Sequence, residues 1–264
     1  MTKEKNKISK EISMKQLELR PYSRQEIADV LGVNIEDTSH FKRNVENTLL
    51  KWGYSFEYSR KQVKILRAPT SAAERLSELM IRLYDLDIQT DIYAFSCFLY
   101  SIAVYPEFNT APWVEKSRIL EDEFSVVVND RTLRSWCTKL IDCGTLVKNK
   151  EQRSCWITGY YNGEKYRELV DGDQHLEETA ARYRRDMSYA MKRLNDWNEV
   201  FSEMWEKYHF CVYYCYGFSF SAFDARANHE TIGHIIDLVN EITERGPVEY
   251  SHTVYQELIE KKVS

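Results

Sequence analysis

Glycine and proline are scarce in this 264-residue chain, at 9 and 5 residues. That scarcity excludes collagen-like and loop-dominated, low-complexity proteins. No apolar run approaches the roughly 20 residues that a membrane-spanning helix needs, so no span and no membrane partner are expected. Residues 1–20 carry Lys and Glu without an apolar block and are read as neither signal peptide nor anchor. The six cysteines show no secreted-type framework for a chain of this length, which points to free thiols in a reducing cytoplasm. Gly-rich phosphate loops and nucleophile elbows are missing as well. The histidines of His229-Glu230-Thr231-Ile232-Gly233-His234 stand one residue too far apart for a His-Glu-x-x-His metal helix. Acidic clusters such as Glu121-Asp122-Glu123 and Asp171-Gly172-Asp173 read as solvated loops. The chain is therefore not expected to be an enzyme, and no cofactor is assigned.

What is present is a globular composition, 43% hydrophobic and 29% charged, of a length that suggests two or three domains. The net charge of −5 is unevenly spread. Residues 1–68 hold 14 Lys+Arg against 9 Asp+Glu, leaving 22 basic and 32 acidic groups for the remainder. Nucleic-acid contact needs local positive charge and not a positive total, so the N-terminal end is the place for it. Residues 1–20 read as a basic N-terminal arm.

From Ser23 to Val33 the chain reads as a helix with its exit turn. Ser23 and Glu26 form a capping box, Ile27, Val30 and Leu31 share one face, and Gly32 suits a left-handed exit. A polar turn, Asn34–Ser39, leads to a second helix from His40 to Trp52. Phe41, Val45, Leu49 and Trp52 are expected inward, with His40, Lys42, Arg43, Asn44, Asn47 and Lys51 outward. Tyr54, Phe56 and Tyr58 then alternate with polar residues, Ser59-Arg60-Lys61-Gln62 makes a tip, and Val63 and Ile65 alternate back as a hairpin.

This stretch resembles the winged helix-turn-helix DNA-binding superfamily over about 45 residues, although the acidic turn before His40 is longer than that pattern usually allows. The resemblance implies a second helix in the major groove and a wing against phosphate or the minor groove. His40, Arg43, Asn44 and Asn47 become base-edge candidates, and Lys42, Lys51, Arg60 and Lys61 phosphate candidates. Asn pairs bidentately with adenine and Arg with guanine. Winged helices also serve as protein-binding modules.

Past a linker at Arg67–Ser71, Ser71 and Glu74 cap a helix bearing Leu76, Leu79, Met80 and Leu83. A more apolar helix is expected from about Asp91 to Val104. A helix at 113–124 follows. In Arg131–Gly144, Leu133, Trp136, Cys137, Leu140 and Ile141 form one helical face and Gly144 a stop. Strands at Thr145–Lys150 and Arg153–Thr158, reversing at Glu151-Gln152, complete a second wing-like pattern. Residues 131–148 weakly resemble winged domains of phage and plasmid replication proteins. That resemblance makes Arg131, Arg134, Lys139, Lys148 and Lys150 further DNA-binding candidates.

Beyond His175, apolar residues step by four and three from Leu176 through Ala180, Tyr183, Met187, Ala190, Leu194, Trp197, Phe201 and Met204 to Tyr208. This heptad seam predicts one long helix, packed either on a second copy as a homodimer or on the helix near 231–243. Aromatic residues cluster at Tyr213, Tyr214, Tyr216, Phe218, Phe220 and Phe223. Cys211, Cys215, His229 and His234 have the spacing of a two-Cys, two-His zinc finger but strand-like residues where the knuckle should turn. The spacing leaves zinc open, and no metal is assigned.

The expected fold is mainly α, with tandem winged-helix-like domains at 21–68 and 71–170. An acidic helical domain for oligomerisation or partner binding is expected at 174–264. The expected function is double-stranded DNA binding in a transcription or replication regulator of a bacterial or mobile-element type. The competing expectation is a phage or mobile-element protein that inhibits a host defence complex by binding a host protein or nucleoprotein.

Overall fold

The computed structural model describes residues 16–86, 90–221 and 224–248. Most of the basic arm and Phe223 lie outside them. The N-terminal unit runs β1 (Pro21–Ser23), α1 (Arg24–Leu31), α2 (Phe41–Lys51), β2 (Ser55–Tyr58) and β3 (Gln62–Arg67), with an antiparallel sheet in the order β1-β3-β2. The capping box forms: the Glu26 amide donates to Ser23 Oγ at 3.2 Å, and the Ser23 amide donates to Glu26 Oε2 at 2.7 Å. Gly32 ends α1 at φ 66°, a conformation open to glycine without steric cost. Ile27, Phe41, Val45, Leu49, Val63 and Ile65 bury together as the core of this unit. Val30, expected inward, is instead 41% exposed.

The segment after β3 is a fixed joint. Pro69 is buried, and Ser71 and Glu74 cap α3 (Ala72–Tyr84) through a second capping box. Glu74 also accepts from the Thr70 amide at 2.9 Å and from Arg67 at 2.6 Å. Those backbone donors, with Arg67 and the Ser71 amide, lower its pKa to about 2. Deeper in, Tyr54 Oη donates to Glu78 Oε1 at 2.6 Å and accepts from the Leu17 amide at 3.0 Å. Arg82 pairs with Glu78 at 3.1 Å and lies over the Trp52 ring at 4.7 Å. A buried carboxylate with both a cation and a hydroxyl donor is one whose desolvation is offset.

The second core is larger. It is built from α3, α4 (Ile92–Val104), α5 (Pro106–Thr110), α6 (Trp113–Phe124), α7 (Asp130–Asp142) and α10 (His229–Ile242). Ala94, Phe95, Cys97, Phe98, Leu99 and Ile102 of α4 are buried around its circumference, as expected of a helix enclosed by others. Beside these helices lies an antiparallel sheet, β5-β4-β6, formed by β4 (Leu146–Tyr161), β5 (Glu164–Leu169) and β6 (Phe210–Phe220). Between β5 and β6 the chain forms α8 (Gln174–Arg193) and α9 (Trp197–Tyr208).

Among the described residues the fold is thus mixed, 54% helix and 20% strand with two three-stranded antiparallel sheets, and not mainly α. The difference comes from β5, from the extension of β4 to Tyr161 and above all from β6, which lies where a helical domain was expected and pairs along β4. The second wing does not turn at Glu151-Gln152: β4 runs through as one 16-residue strand. Its register shifts between Asn149 and Arg153, a bulge that absorbs the polar residues taken for a turn. Asn149 Oδ1 accepts from the Glu151 and Gln152 amides there, at 3.1 and 3.2 Å. The reversal occurs at Asn162-Gly163, both with positive φ, the Asn-Gly pair that favours a tight hairpin.

The heptad seam is also not one helix. Leu194 adopts extended backbone, and the Asp196 side chain caps α9 by accepting from the Asn198 amide at 2.9 Å. α8 and α9 then fold back on each other, burying Ala180, Tyr183, Ala190, Val200 and Met204 among themselves and against Phe210 and Val212 of β6. α10, one of the two partners expected for that seam, packs instead on α3 and α4, where Tyr100 Oη donates to Asn240 Oδ1 at 2.9 Å.

Candidate nucleic-acid interface

On α2, burial of Phe41, Val45 and Leu49 turns the opposite ridge outward, and that ridge carries Arg43, Asn47 and Leu50. Arg43 is exposed and has no hydrogen bond or ion pair among the described residues. Leu50, at 64% exposure, adds an apolar contact to the ridge. The other outward residues of α2 are engaged locally. Lys42 pairs with Glu46 at 3.6 Å and stands 5.6 Å from the Tyr58 ring, tying the helix to the hairpin. Lys51 pairs with Asp85 at the end of α3, at 3.2 Å. Asn44 is half-buried.

His40 is held by the turn before the helix. Its Nδ1 lies 3.1 Å from Asp37 Oδ1 and 2.8 Å from Ser39 Oγ. Ser39, then His40, keeps the Asp37 carboxylate below its usual range. The long turn is thereby ordered, with the Phe41 amide donating to Asp37 O at 2.8 Å. At the hairpin tip Ser59 and Gln62 bond to each other at 2.9 Å, leaving Arg60 and Lys61 exposed and without ion partners among the described residues. Lys64, exposed on β3 opposite Pro21, extends this basic edge. Strand alternation from Val63 and Ile65 could have identified it. Without the first 15 residues, the N-terminal unit to residue 68 carries 9 Lys+Arg and 7 Asp+Glu. Any nucleic-acid contact by this unit would therefore rest on the placement of its cations more than on total charge.

The second set of candidates surrounds α7. Asn129 caps it, accepting from the Thr132 amide at 2.8 Å, and Leu133, Trp136, Cys137 and Leu140 are buried. Arg131, Arg134 and Lys139 are exposed, as are Lys148 and Lys150 on β4. They do not form one face. Arg134 and Lys148 line a common cleft, while Lys139 stands about 140° round the helix from Arg134. Arg134 is further drawn towards Asp130, at 3.5 Å, and over Trp113, at 5.8 Å. Lys150 lies in the bulge of β4.

Arg184 and Lys116 also escaped the sequence reading. Arg184 of α8 lies 5.5 Å from the Tyr214 ring, and Arg153 of β4 lies 4.8 Å from the same ring. Arg184 was hidden by the acidic total of its region. Lys116 on α6 is 2% exposed. It steps by four to the buried Leu120 and Phe124, a helical spacing that marks it as facing inward.

The zinc-like spacing is not assembled into a cluster. Cys211 and Cys215 lie on β6 and His229 and His234 on α10, and no group of three or more metal-ligating side chains occurs among the described residues. Likewise, no helix among those residues is long and apolar enough to cross a membrane. Compared with known proteins, the chain matches no protein-family model, no curated protein and no solved structure.

Proposed function

We propose that the protein binds double-stranded DNA through its N-terminal unit, acting as a winged helix-turn-helix regulator of transcription or replication in the cytoplasm. The observation that carries this reading is the pairing of the α2 ridge, with Arg43 beside Asn47, and the hairpin tip bearing Arg60 and Lys61, all three cations exposed and without partners among the described residues. An α-helix fits the major groove, and Arg and Asn are the residues that read guanine and adenine edges there. The hairpin tip supplies phosphate contacts, which set affinity and its salt dependence. Lys42 and Lys51 serve the unit by fixing α2 to the hairpin and to α3. His40 holds the turn.

The test is a mobility-shift titration of duplex DNA at several salt concentrations. Binding that weakens steeply with salt, and more weakly in an Arg60→Ala, Lys61→Ala double variant, supports the reading. Undetectable duplex binding at low salt overturns it.

A second reading has its own observation. Trp197, Phe201 and Trp205 run along one face of α9 and are exposed at 55%, 47% and 39%. Exposed aromatic rows of this kind mark protein contacts. They favour a protein partner, either a second copy or a host protein or nucleoprotein complex inhibited by this chain. A stable complex in pull-downs, with no affinity for free duplex, would select that reading.

A further inference from the structure

We propose that the cleft between α6, α7 and the β4–β6 pair is a binding site for a small flat anion, a phosphate or carboxylate carried on an aromatic ring. The cleft has a volume of about 560 Å³, within the roughly 300–1,000 Å³ range of small-molecule sites. Its inner end is Lys116. The Nζ of Lys116 donates to Asn109 O at 3.0 Å and Ala111 O at 2.6 Å. Three rings surround it: Phe108 at 5.3 Å, Trp113 at 5.4 Å and Phe218 at 6.0 Å.

An ammonium has three N–H donors, and the third has no acceptor among the described residues. No carboxylate among the described residues pairs with this buried amine, and burial lowers its pKa to about 7. The two carbonyls explain why a lysine fastens the turn between α5 and α6. They leave the remaining donor and the cavity beside it unaccounted for.

The rest of the cleft suits the same ligand. Trp113, Tyr216 and Phe218 supply flat walls, and the cations Arg134 and Lys148 stand on the wall, with Lys116 a third cation when protonated. Asp142 is the one carboxylate among the lining residues. A ring stacked against the aromatic walls would place its anionic group between the cations. It would meet charge-assisted donors there, which are about twice as strong as neutral ones. This site does not depend on the DNA-binding reading.

Pyridoxal 5′-phosphate is a direct probe, being a flat, anionic aldehyde. The neutral Lys116 amine adds to the aldehyde carbon, and its two N–H protons leave with the aldehyde oxygen as water. Borohydride then delivers hydride to the imine carbon while solvent protonates the nitrogen. The full-length protein is treated at pH 8 with less than one equivalent, reduced, and mapped by peptide mass spectrometry. Lys116 is expected to carry most of the label ahead of the exposed lysines, with excess adenosine monophosphate or benzoate protecting it. Arg134→Ala and Lys148→Ala are each expected to reduce labelling about tenfold without changing Tm. Protection by the nucleotide alone identifies a phosphate ligand, and protection by benzoate alone a carboxylate. Label spread over surface lysines with Lys116 unmodified overturns the proposal. So does Lys116 labelling that neither competitor and neither variant affects.

Discussion

α2 and α7 carry similar outward residues, yet the fold uses them differently. On α2 the outward ridge is convex, and Arg43 projects from it without a partner among the described residues, next to a hairpin whose tip is also basic. On α7 the corresponding arginine, Arg134, bends over Trp113 and shares a cleft with Lys148 and the buried Lys116. A cation on a convex ridge can reach a polymer backbone or a groove, whereas cations gathered round a concavity suit a small ligand. Residue type alone therefore does not assign a basic helix to nucleic acid. The shape of the surface that holds it decides between the two.

The largest expected effect concerns the joint that holds these two regions together. Glu78→Ala removes the buried carboxylate that pairs with Arg82 and accepts from Tyr54. The expected cost is about 3–5 kcal/mol in chemical denaturation, and loss of a single cooperative transition would show that the N-terminal unit had come free. An unchanged midpoint would mean that the two regions are joined by other contacts.

Next in size, Arg43→Ala and Asn47→Ala should each weaken binding to a preferred duplex by about 1–3 kcal/mol and relax the choice of base at one position. Arg134→Ala should leave duplex binding nearly unchanged. An equal loss from Arg43→Ala and Arg134→Ala would erase the distinction between the two helices.

A third effect separates the regions by pH. The amine of Lys116 titrates near pH 7 when folded but near 10.5 in an unfolded chain. The unfolded state thus binds more protons between these values, and stability rises with pH across that window. The raised Cys97 and Cys137 thiols, both pushed up to about 12, work in the opposite direction above the unfolded thiol pKa. The clean range is therefore pH 7 to 8.5, with a slope approaching about 1.4 kcal/mol per pH unit. Denaturation at several pH values should show that slope in the wild type and its absence in Lys116→Met. The smallest effect belongs to the hairpin tip: removing Arg60 or Lys61 should lower the salt slope of duplex binding by about one unit each.

How much of this could be read from the sequence follows the range of the interactions. The N-terminal elements rest on signals within a few residues, such as the Ser23–Glu26 box, Gly32 and the spacing of Phe41, Val45 and Leu49. Their positions could be read directly. What could not be read was where the outward cations would end up, because Lys51 is claimed by Asp85, 34 residues away, and Lys42 by Tyr58.

The later half fails for a different reason. A seam stepping by four and three looks the same in one long helix and in two helices that fold back together. Asn195-Asp196 was the local sign of the break, since Asp is a favoured N-cap. Asn162-Gly163 similarly marked the true hairpin, while Glu151-Gln152 looked like a turn and is a bulge. β6 pairs with β4 across some 60 residues, a contact that periodicity does not encode. Lys116 could be found from its spacing to Leu120, but its cleft depends on residues from four elements.

The most direct measurement is selection of bound sequences from a random duplex pool by the full-length protein, with the selected duplex then titrated against wild type, Arg43→Ala and Arg134→Ala. A recurrent motif, with affinity reduced about 5- to 150-fold by Arg43→Ala and retained by Arg134→Ala, is the expected result. Absence of any recurrent motif, together with equal binding by all three proteins, would contradict the assignment of duplex recognition to the α2 ridge.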